Sequence, residues 1–308
     1  MKDRYRTAIV GAGKITADQH IPALARSSRF ELVALVDPRP VDLAATRFAT
    51  LDEMLAADLG VDAVIVATPP QMRECLALAA LKAGCHVMLE KPPSLTSGGA
   101  RRLLAECPNG RTLFTSWHSR EAAMVQRAAA WLKHRTISSG RVTWREDARV
   151  WHPGQFWLWE PGGFGVFDPA INAFSILTAI TTEPFVVSKA VFQVPINQQV
   201  PIAAEVEMMC RDALIAMDLD FRAVGEPCWT IALETADGGR LELSEGGQTL
   251  RLNDAPPVVG ENAEYDGLYR RFASLIDGGT SNVDTTPLDL VADAFLIARH
   301  VAVSGFRP

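Results

Sequence analysis

The stretch Trp151–Asn172, WHPGQFWLWEPGGFGVFDPAIN, combines aromatic rings, a carboxylate and an amide in one part of the chain. Six of the seven tryptophans lie within residues 117–159. Proline–glycine turn signals predict an irregular loop that leads into a helix opening at Asp168. Because Asp168 and Asn172 stand four residues apart, both side chains point to one side of the first turn of that helix. Aromatic faces beside such polar groups suit a flat polyhydroxylated ligand, whose C–H faces the rings would cover.

Other side chains around this loop are candidates for binding the same ligand. Alternation along the predicted strand 140–150 places Glu146 on an otherwise apolar face, where an unpaired carboxylate would be costly. Glu146 is therefore either a paired structural residue at the sheet edge or an acceptor of hydrogen bonds from ligand hydroxyls. His152 is predicted to contact the ligand, with its neighbour Trp151 as a packing wall. His118, in SWHSR, either caps or bridges two parts of the chain or contacts the ligand.

Length, charge and cysteine content narrow the class of protein. The 308 residues are too many for one typical core and predict two domains. A formal net charge of −6 gives no reason to expect nucleic acid or an anionic membrane as a partner. No apolar run is long enough for a membrane helix, and the N-terminus lacks the apolar core of a signal peptide. The five cysteines form no CxxC pair, and no cluster shows metal-ligand spacing. We therefore expect a cytoplasmic protein with free thiols and no metal.

Strand and helix patterns alternate through the first 118 residues. Short apolar runs predict strands at 8–10, 32–36, 63–67, 87–89 and 113–114. Helical patterns separate them at 15–26, 41–48, 51–57, 71–83 and 96–107. Continuous apolar strands alternating with helices predict a doubly wound parallel sheet that is covered on both faces.

The first strand-to-helix turn has the composition of a dinucleotide-binding turn. Gly11 allows a tight turn, and Gly13, followed by Lys14 and Ile15, lets backbone N–H groups approach a pyrophosphate. Thr16 stands where a third glycine is usual, so the motif is imperfect. Asp37 follows the second strand, where an acid would bind the ribose hydroxyls of NAD and repel a 2′-phosphate. Arg39 lies close enough to grip such a phosphate, so NAD is the predicted cofactor and NADP the alternative.

Two further strand ends carry polar or proline-rich segments. Thr68-Pro69-Pro70 follows the third long strand, and Glu90-Lys91-Pro92-Pro93 follows the next. Doubly wound sheets bind ligands at the carboxyl ends of their strands. Thr68, Pro69 and Glu90 are therefore predicted to contact the cofactor. The proline pair after Lys91 restricts the backbone and would hold the ammonium in one place, although most loop lysines are simply solvated.

The second half of the chain has a different pattern. Strands are predicted at 140–150, 186–194, 203–210, 214–221, 229–235, 240–243 and 249–252. Glycine turns at 238–239 and 246–247 connect some of them as hairpins, and consecutive strands without crossover helices predict an antiparallel sheet. Helices are predicted at 121–133, 265–276 and 288–303.

The glycine turn, Asp37 and the triplet Glu90-Lys91-Pro92 after HVML resemble the glucose–fructose oxidoreductase/inositol dehydrogenase (Gfo/Idh/MocA) family. The resemblance covers essentially the whole chain. It implies a Rossmann domain at 1–118 and a substrate-binding and oligomerisation domain at 119–308, with a mostly antiparallel open sheet through which two copies would pair. It also implies that Lys91 contacts both the nicotinamide ribose and a substrate hydroxyl.

One departure from the family pattern narrows the predicted reaction. Many members have an aspartate followed four residues later by histidine, whereas Asn172 stands four residues after Asp168 here. The anomeric hydroxyl of a sugar is more acidic than a ring alcohol, so a carboxylate aided by Lys91 would suffice as base. The segments WRED, WHPGQ, WEPGG and FDPAIN resemble a branch of the family that oxidises L-arabinose or D-galactose at C1.

These observations predict an NAD(P)-dependent aldose 1-dehydrogenase for galacto-configured pyranoses. Lys91 and a bound nicotinamide would form one wall of the site, and the aromatic loop the other. Lys91 would orient the C1 hydroxyl and Asp168 would accept its proton, or the two would exchange these roles; Asn172 would fix the hydroxyl. A helix N-cap is the structural alternative for Asp168. The functional alternatives are a dehydrogenase of inositol or another ring hydroxyl, and a non-catalytic NAD(P)-binding sugar sensor.

Overall fold

The computed structural model describes residues 2–40 and 45–308. The chain divides into two compact units, of which the first comprises Met1–His118 with Glu264–Thr285, and the second comprises Ser119–Ala263 with Thr286–Pro308. The predicted boundary at residue 118 coincides with the first break. The segment Glu264–Thr285, which the sequence placed in the second domain, packs with the first unit.

The strands and helices follow the two patterns seen in the sequence. In chain order, the strands are β1 (Tyr5–Val10), β2 (Phe30–Val36), β3 (Thr46–Phe48), β4 (Ala63–Val66), β5 (His86–Glu90), β6 (Leu113–Ser116), β7 (Ile137–Arg145), β8 (Phe185–Pro195), β9 (Ala203–Cys210), β10 (Ala213–Asp220), β11 (Cys228–Thr235), β12 (Arg240–Ser244), β13 (Thr249–Leu252), β14 (Val258–Val259) and β15 (Arg299–Val303). The helices are α1 (Ile21–Arg26), α2 (Leu51–Ala56), α3 (Pro70–Lys82), α4 (Ser97–Ala105), α5 (Val125–Leu132), α6 (Ala148–Trp151), α7 (Phe167–Ile180), α8 (Glu264–Asp277) and α9 (Thr286–Ile297).

The first unit contains a six-stranded sheet in the order β3-β2-β1-β4-β5-β6. Every pair in it is parallel. Every residue of β4 and β5 is buried, which confirms the prediction of a sheet covered on both faces. Alternate residues of β1 enter different cores: Ile9 packs with Phe30 on one side, and Val10 packs with residues of α2 and α3 on the other.

Helix α8 completes the first of these cores. Its buried residues Leu268, Tyr269 and Phe272 pack against Phe30 and other side chains of the first sheet. The ring of Phe272 stacks on that of Phe30 at 5.5 Å with an interplanar angle of 2°. Sequence periodicity predicted the helix but not the surface it covers, because an amphipathic pattern does not identify the partner of its apolar side.

The second unit contains a nine-stranded sheet in the order β14-β13-β12-β11-β7-β10-β9-β8-β15. Most pairs are antiparallel, as predicted, but β7 pairs in parallel with β10 and β8 with β15. The glycine turns connect β11 to β12 and β12 to β13, as the sequence indicated. Helix α7 has eleven buried residues among its fourteen and packs with α5 and α9. This helix is the core of the second unit.

Several predicted elements were wrong or only partly right. Thr46–Phe48 forms a strand beside β2 rather than the end of a helix, and residues 41–44 of that predicted helix lie outside the described residues. The predicted strand 140–150 ends at Arg145, and Ala148–Trp151 is a helical turn. The last predicted helix stops at Ile297, because Arg299–Val303 pairs with β8. In each case, pairing with a distant strand or a local cap decided the outcome over periodicity.

The packing of α8 generates a stability prediction. Phe272→Ala is expected to lower the free energy of unfolding by about 3–5 kcal/mol, because it removes a fully buried ring and leaves a cavity. Chemical denaturation followed by circular dichroism would measure the change. The matched control is Leu296→Ala at a position that is 84% exposed, where a change within about 0.5 kcal/mol is expected. Equal effects of the two substitutions would contradict the assignment of α8 to the core.

Candidate active site

The turn after β1 is shaped by glycine at its first position. Gly11 has φ +97°, and a Cβ added there would lie 2.9 Å from the backbone of Ala67 and Thr68. By contrast, no described protein atom lies within 4 Å of a Cβ added at Gly13, so packing within the protein does not require glycine there. Thr16, the departure from the glycine pattern, donates from Oγ1 to the carbonyl of Gly11 at 2.6 Å. The threonine thus closes the turn with a hydrogen bond.

Asp37 lies directly behind this turn and is only 7% exposed. Its carboxylate accepts hydrogen bonds from the backbone N–H of Ala12 at 2.9 Å and from Nε of Arg39 at 3.0 Å. Burial raises the pKa of Asp37, but the hydrogen bonds from Arg39 and Ala12 outweigh it and hold the pKa below its ordinary value. Asp37 is therefore an anion at neutral pH. The Arg39 side chain is 73% exposed and its guanidinium is paired with Asp37.

A surface cavity of about 390 Å³ lies between the glycine turn and the Arg39 segment. It is lined by Ala12, Gly13, Lys14, Ala17, Arg39 and Pro40. Lys14 pairs with Asp18 one turn along the helix. Ile15 instead packs against the first core. Of the predicted cofactor residues on this turn, Gly13 and Lys14 therefore line the cavity. Ile15 anchors the turn to the core.

The end of β4 offers a further polar group. Thr68 is buried, and its Oγ1 has no hydrogen-bond partner among the described residues. A buried hydroxyl without a partner is costly unless a ligand or water satisfies it. The open space at Gly13, the carboxylate of Asp37 beside the turn and this hydroxyl without a partner among the described residues fit a dinucleotide. Pro69 follows and precedes the first residue of α3.

Glu90, the last residue of β5, carries a carboxylate that is satisfied inside the first unit. It is 3% exposed, and its Oε1 accepts from Tyr265 Oη at 3.0 Å and lies 3.2 Å from His20 Nε2. Oε2 accepts from the backbone N–H of Lys91 at 3.0 Å. Burial alone would raise the pKa of Glu90, but the hydrogen bond and charge of His20, with the charges of His118 and Arg73, hold it far below its ordinary value. Glu90 therefore holds Lys91 by its backbone.

His118 occupies a defined place at the end of the first unit. Its Nδ1 lies 2.6 Å from Glu264 Oε2, and its ring stacks on that of Tyr265 at 5.5 Å. Helix α8 thus orients the imidazole, and the same tyrosine bonds Glu90. Through Tyr265, the structure links His118 to Glu90. Both are predicted site residues, and they are 28 positions apart in the sequence.

In the second unit, Glu146 is a paired carboxylate. It follows β7 and is 2% exposed. His152 Nε2 donates to Oε1 at 2.7 Å, and Trp229 Nε1 donates to Oε2 at 2.7 Å. The ring of Trp151 meets that of Trp229 edge to face at 5.1 Å, and the ring of Trp144 stacks on that of Trp229 at 6.3 Å. The structure therefore brings together three predicted residues, Glu146, Trp151 and His152.

Trp229 is the member of this cluster that sequence reasoning missed. It lies on β11, directly opposite Trp144 of β7. It is the one tryptophan outside residues 117–159, on a strand that is remote in sequence from the aromatic loop. A signal was present in the sequence, because a tryptophan on a predicted strand needs a partner for its indole N–H.

The aromatic loop is supported from two sides. Asp147 caps α6 through a hydrogen bond from the backbone N–H of Arg149, and the carboxylate also pairs with the guanidinium of that arginine. The hydrogen bonds from Arg149 lower the pKa of Asp147 below its ordinary value, and they outweigh burial, which would raise it. The ring of Trp159 packs on Phe306 at 5.1 Å. These contacts hold the loop that carries Trp151.

Asp168 and Asn172 occupy the first two turns of α7. The helix begins at Phe167, so Asp168 is its second residue and not its N-cap, and the predicted capping role is wrong. Asp168 is 6% exposed and Asn172 is half-buried. The approach to the helix requires glycine, since a Cβ on Gly165 would lie 2.3 Å from the carbonyl oxygen of Pro201.

Within residues 2–40 and 45–308, no group of three or more His, Cys, Asp or Glu is arranged to hold a metal ion. No helix in that part of the chain is long and apolar enough to cross a membrane. All five cysteines are free thiols, as predicted.

Comparison with known proteins agrees with this geometry. The profile of the Gfo/Idh/MocA oxidoreductase family, described by its NAD-binding Rossmann fold, matches residues 5–116. The chain is 40% identical over 306 residues to galactose 1-dehydrogenase of Pseudomonas fluorescens, with 98% of each chain covered. The crystal structure of a D-galactose-1-dehydrogenase protein from Rhizobium etli superimposes with a TM-score of 0.90 at 42% identity, covering 100% of this chain and 99% of that chain. A 3-ketoreductase from Actinomadura kijaniata superimposes with a TM-score of 0.82, covering 97% of this chain and 99% of that chain, but at 18% identity this shows the fold alone.

The parallel sheet, its glycine turn and Asp37 define a nicotinamide-dinucleotide-dependent oxidoreductase. The chain belongs to the Gfo/Idh/MocA family. The predictions of family, fold class, enzyme and cofactor class are thereby confirmed.

The buried carboxylate of Glu90 generates a pH prediction. Because its pKa in the folded protein lies far below the ordinary value of 4.5, its contribution to stability is complete above that pH and is lost as the pH falls below it. Glu90→Gln cannot ionise, so the variant is expected to be less stable at neutral pH and to lose less stability on acidification. Denaturation curves between about pH 3 and pH 7 would measure both effects.

The control for this experiment is Glu106→Gln, which changes an exposed glutamate paired with Arg102. This variant should retain the acid dependence that Glu90 contributes. If Glu90→Gln lost stability on acidification as steeply as the unmodified protein, the buried charge would not be its source.

Proposed function

We propose that this protein is an NAD-dependent aldose 1-dehydrogenase that oxidises the C1 hydroxyl of galacto-configured pyranoses to the aldonolactone. D-Galactose, L-arabinose and D-fucose have this ring configuration. Two relatives that match essentially the whole chain are named for galactose and for oxidation at C1. The narrower assignment to particular sugars depends on the chemistry of the site.

The observation that carries the proposal is the pair of side chains on α7, a buried carboxylate with an amide one turn later. Asn172 cannot exchange a proton, so Asp168 is the titratable member of the pair. The anomeric hydroxyl is more acidic than other sugar hydroxyls, because the ring oxygen withdraws electron density. A carboxylate base therefore suits oxidation at C1 better than oxidation of an ordinary ring alcohol.

Each catalytic side chain has a separate role in this proposal. When bound, the oxidised nicotinamide supplies the acceptor for the hydride that leaves C1. Lys91 orients and polarises the C1 hydroxyl, Asp168 accepts its proton, and Asn172 fixes it by hydrogen bonding. Lys91 and Asp168 are also able to act in exchanged roles. The hydrogen bond from the Lys91 backbone to Glu90 supports a fixed position for the lysine.

The remaining sugar hydroxyls would be bound by the polar groups around the tryptophans. Glu146 and His152 form a hydrogen-bonded pair, so the imidazole is held in a defined orientation for a ligand hydroxyl. The rings of Trp151 and Trp229 would pack on the C–H faces of the sugar. His118, oriented by Glu264, would bind a further hydroxyl.

NAD is the proposed cofactor in preference to NADP. Asp37 is an anion at the position of the ribose hydroxyls and would repel a 2′-phosphate. Arg39 is already paired with that carboxylate, so its charge is partly neutralised before any phosphate arrives. Binding of the 2′-phosphate of NADP by Arg39 would require this ion pair to open.

We also propose a second copy of the chain as partner for the open face of the nine-stranded sheet. Leu214, Met209 and Val186 lie directly opposite one another on three neighbouring strands and form an apolar row on that face. Leu214 and Val186 are exposed. Symmetric pairing of two copies would cover the apolar row, and a monomeric mass measured by light scattering would contradict the proposed pairing.

The five free thiols support a reducing, cytoplasmic location.

The proposed function is tested by following NADH absorbance with a panel of sugars and both cofactors. Turnover is expected with D-galactose, L-arabinose and D-fucose. It should be more efficient with NAD than with NADP. Asp168→Asn should lower kcat by roughly 10²–10⁴-fold, because an amide cannot accept the proton. The control is Asp254→Asn, which changes an exposed aspartate on the surface.

Three results would contradict parts of the proposal. Oxidation of inositol without oxidation of any aldose would indicate a ring-hydroxyl dehydrogenase. Tight cofactor binding without NADH formation from any sugar would indicate a sensor. Near-normal turnover by a folded Asp168→Asn variant would exclude Asp168 as the base.

A further inference from the structure

Arg73 is a buried arginine whose guanidinium binds the ends of two neighbouring strands. It lies in the first turn of α3 and is 4% exposed. Nε donates to the carbonyl of Thr68 at 2.8 Å, after β4. Nη1 donates to the carbonyl of Glu90 at 2.7 Å and also to the carbonyl of Pro92, after β5. Burying a guanidinium is costly unless its donors are hydrogen-bonded, and backbone carbonyls at two separate strand ends accept three hydrogen bonds from this one.

The carbonyls of Glu90 and Pro92 lie on either side of Lys91. One belongs to the peptide that joins Glu90 to Lys91, and the other follows the next residue in the chain. The backbone N–H of Lys91 is itself bound to Glu90 Oε2 at 3.0 Å. Arg73 and Glu90 therefore fix the backbone of Lys91 from both sides, which limits the positions that its flexible side chain can reach.

The next residue on the same helix braces the segment beyond. Glu74 accepts a hydrogen bond from Ser94 Oγ at 2.5 Å. A Cβ added at Gly99 would lie 2.1 Å from Glu74 Oε1 and 2.4 Å from Ser94 Oγ, so only glycine leaves room for this contact. The start of α3 thus holds the segment from residue 90 to residue 94 at two points.

We propose that Arg73 is a positioning residue for the dehydrogenase reaction, holding Lys91 and Thr68 in place through the backbone carbonyls of the two strand ends. The inference rests on the role of Lys91 in the proposed function. Arginine suits the task because its planar fork presents several donors in fixed directions, whereas the ammonium of lysine is a single point at the end of a flexible stem. Charge alone would not reproduce the effect.

The test compares Arg73→Lys and Arg73→Gln with Arg102→Met, which removes an exposed arginine of α4 that pairs with Glu106. In a folded Arg73→Lys variant, kcat is expected to fall by roughly 10²-fold, the cost of a small misplacement of a catalytic group. The KM for NAD should change far less. The primary isotope effect with C1-deuterated galactose should increase, since the chemical step would then limit turnover. Arg102→Met should leave these values unchanged.

The outcomes separate positioning from stability. An unchanged kcat in Arg73→Lys, a fall in kcat without a larger isotope effect, or failure of both variants to fold would overturn the inference. Lys91→Ala, measured alongside, separates it from the proposed function. Full turnover by Lys91→Ala would contradict the proposed function and the inference together, whereas loss in Lys91→Ala with normal kcat in Arg73→Lys would contradict the inference alone.

Discussion

A carboxylate sealed inside the first unit links the parts of that unit that matter for the reaction. Glu90 is buried at the end of β5, and an ionised group there must be fully hydrogen-bonded. Its partners come from the helical turn after the glycine loop, from α8 and from the adjacent backbone: His20, Tyr265 and Lys91. One charge therefore ties the cofactor turn, the end of β5 and a distant helix to a common geometry. Displacing any one of these partners would leave the charge short of a donor.

Lys91, the lysine of the proposed mechanism, is held in a similar way, through its main chain. Arg73 bonds the carbonyls around Lys91, and Glu90 bonds its N–H. In the second unit, by contrast, Glu146 is held through its side chain, which is bonded by His152 and Trp229. Asp168 is positioned by α7, a helix with eleven buried residues.

Patterns that depend on neighbours in sequence were predictable. The parallel sheet, the glycine turn, Asp37 and the Glu90-Lys91 segment follow from short apolar runs and the residues that end them. Much of what failed depended on partners far along the chain, although the helical turn Ala148–Trp151 was decided by the local cap of Asp147. Trp229 reaches Glu146 from a strand 83 positions later, and Arg299–Val303 is a strand because β8 lies beside it. Arg73 was overlooked because its role is to bond carbonyl groups, which every residue possesses and no motif marks. Thr16 was correctly seen as a departure, but its hydrogen bond to Gly11 is visible only in three dimensions.

The return of Glu264–Thr285 to the first unit has a consequence for the order in which the protein is made. During synthesis the nucleotide-binding half emerges from the ribosome first, yet Phe30 and Glu90 lack the rings of Phe272 and Tyr265 until residue 272 has been translated. The early half must wait, incompletely packed, while the later half is produced. Folding of the first unit is thus completed only when the polypeptide is nearly complete. A chain that ended within the second sheet would contain the nucleotide-binding sheet without helix α8, which packs on its core.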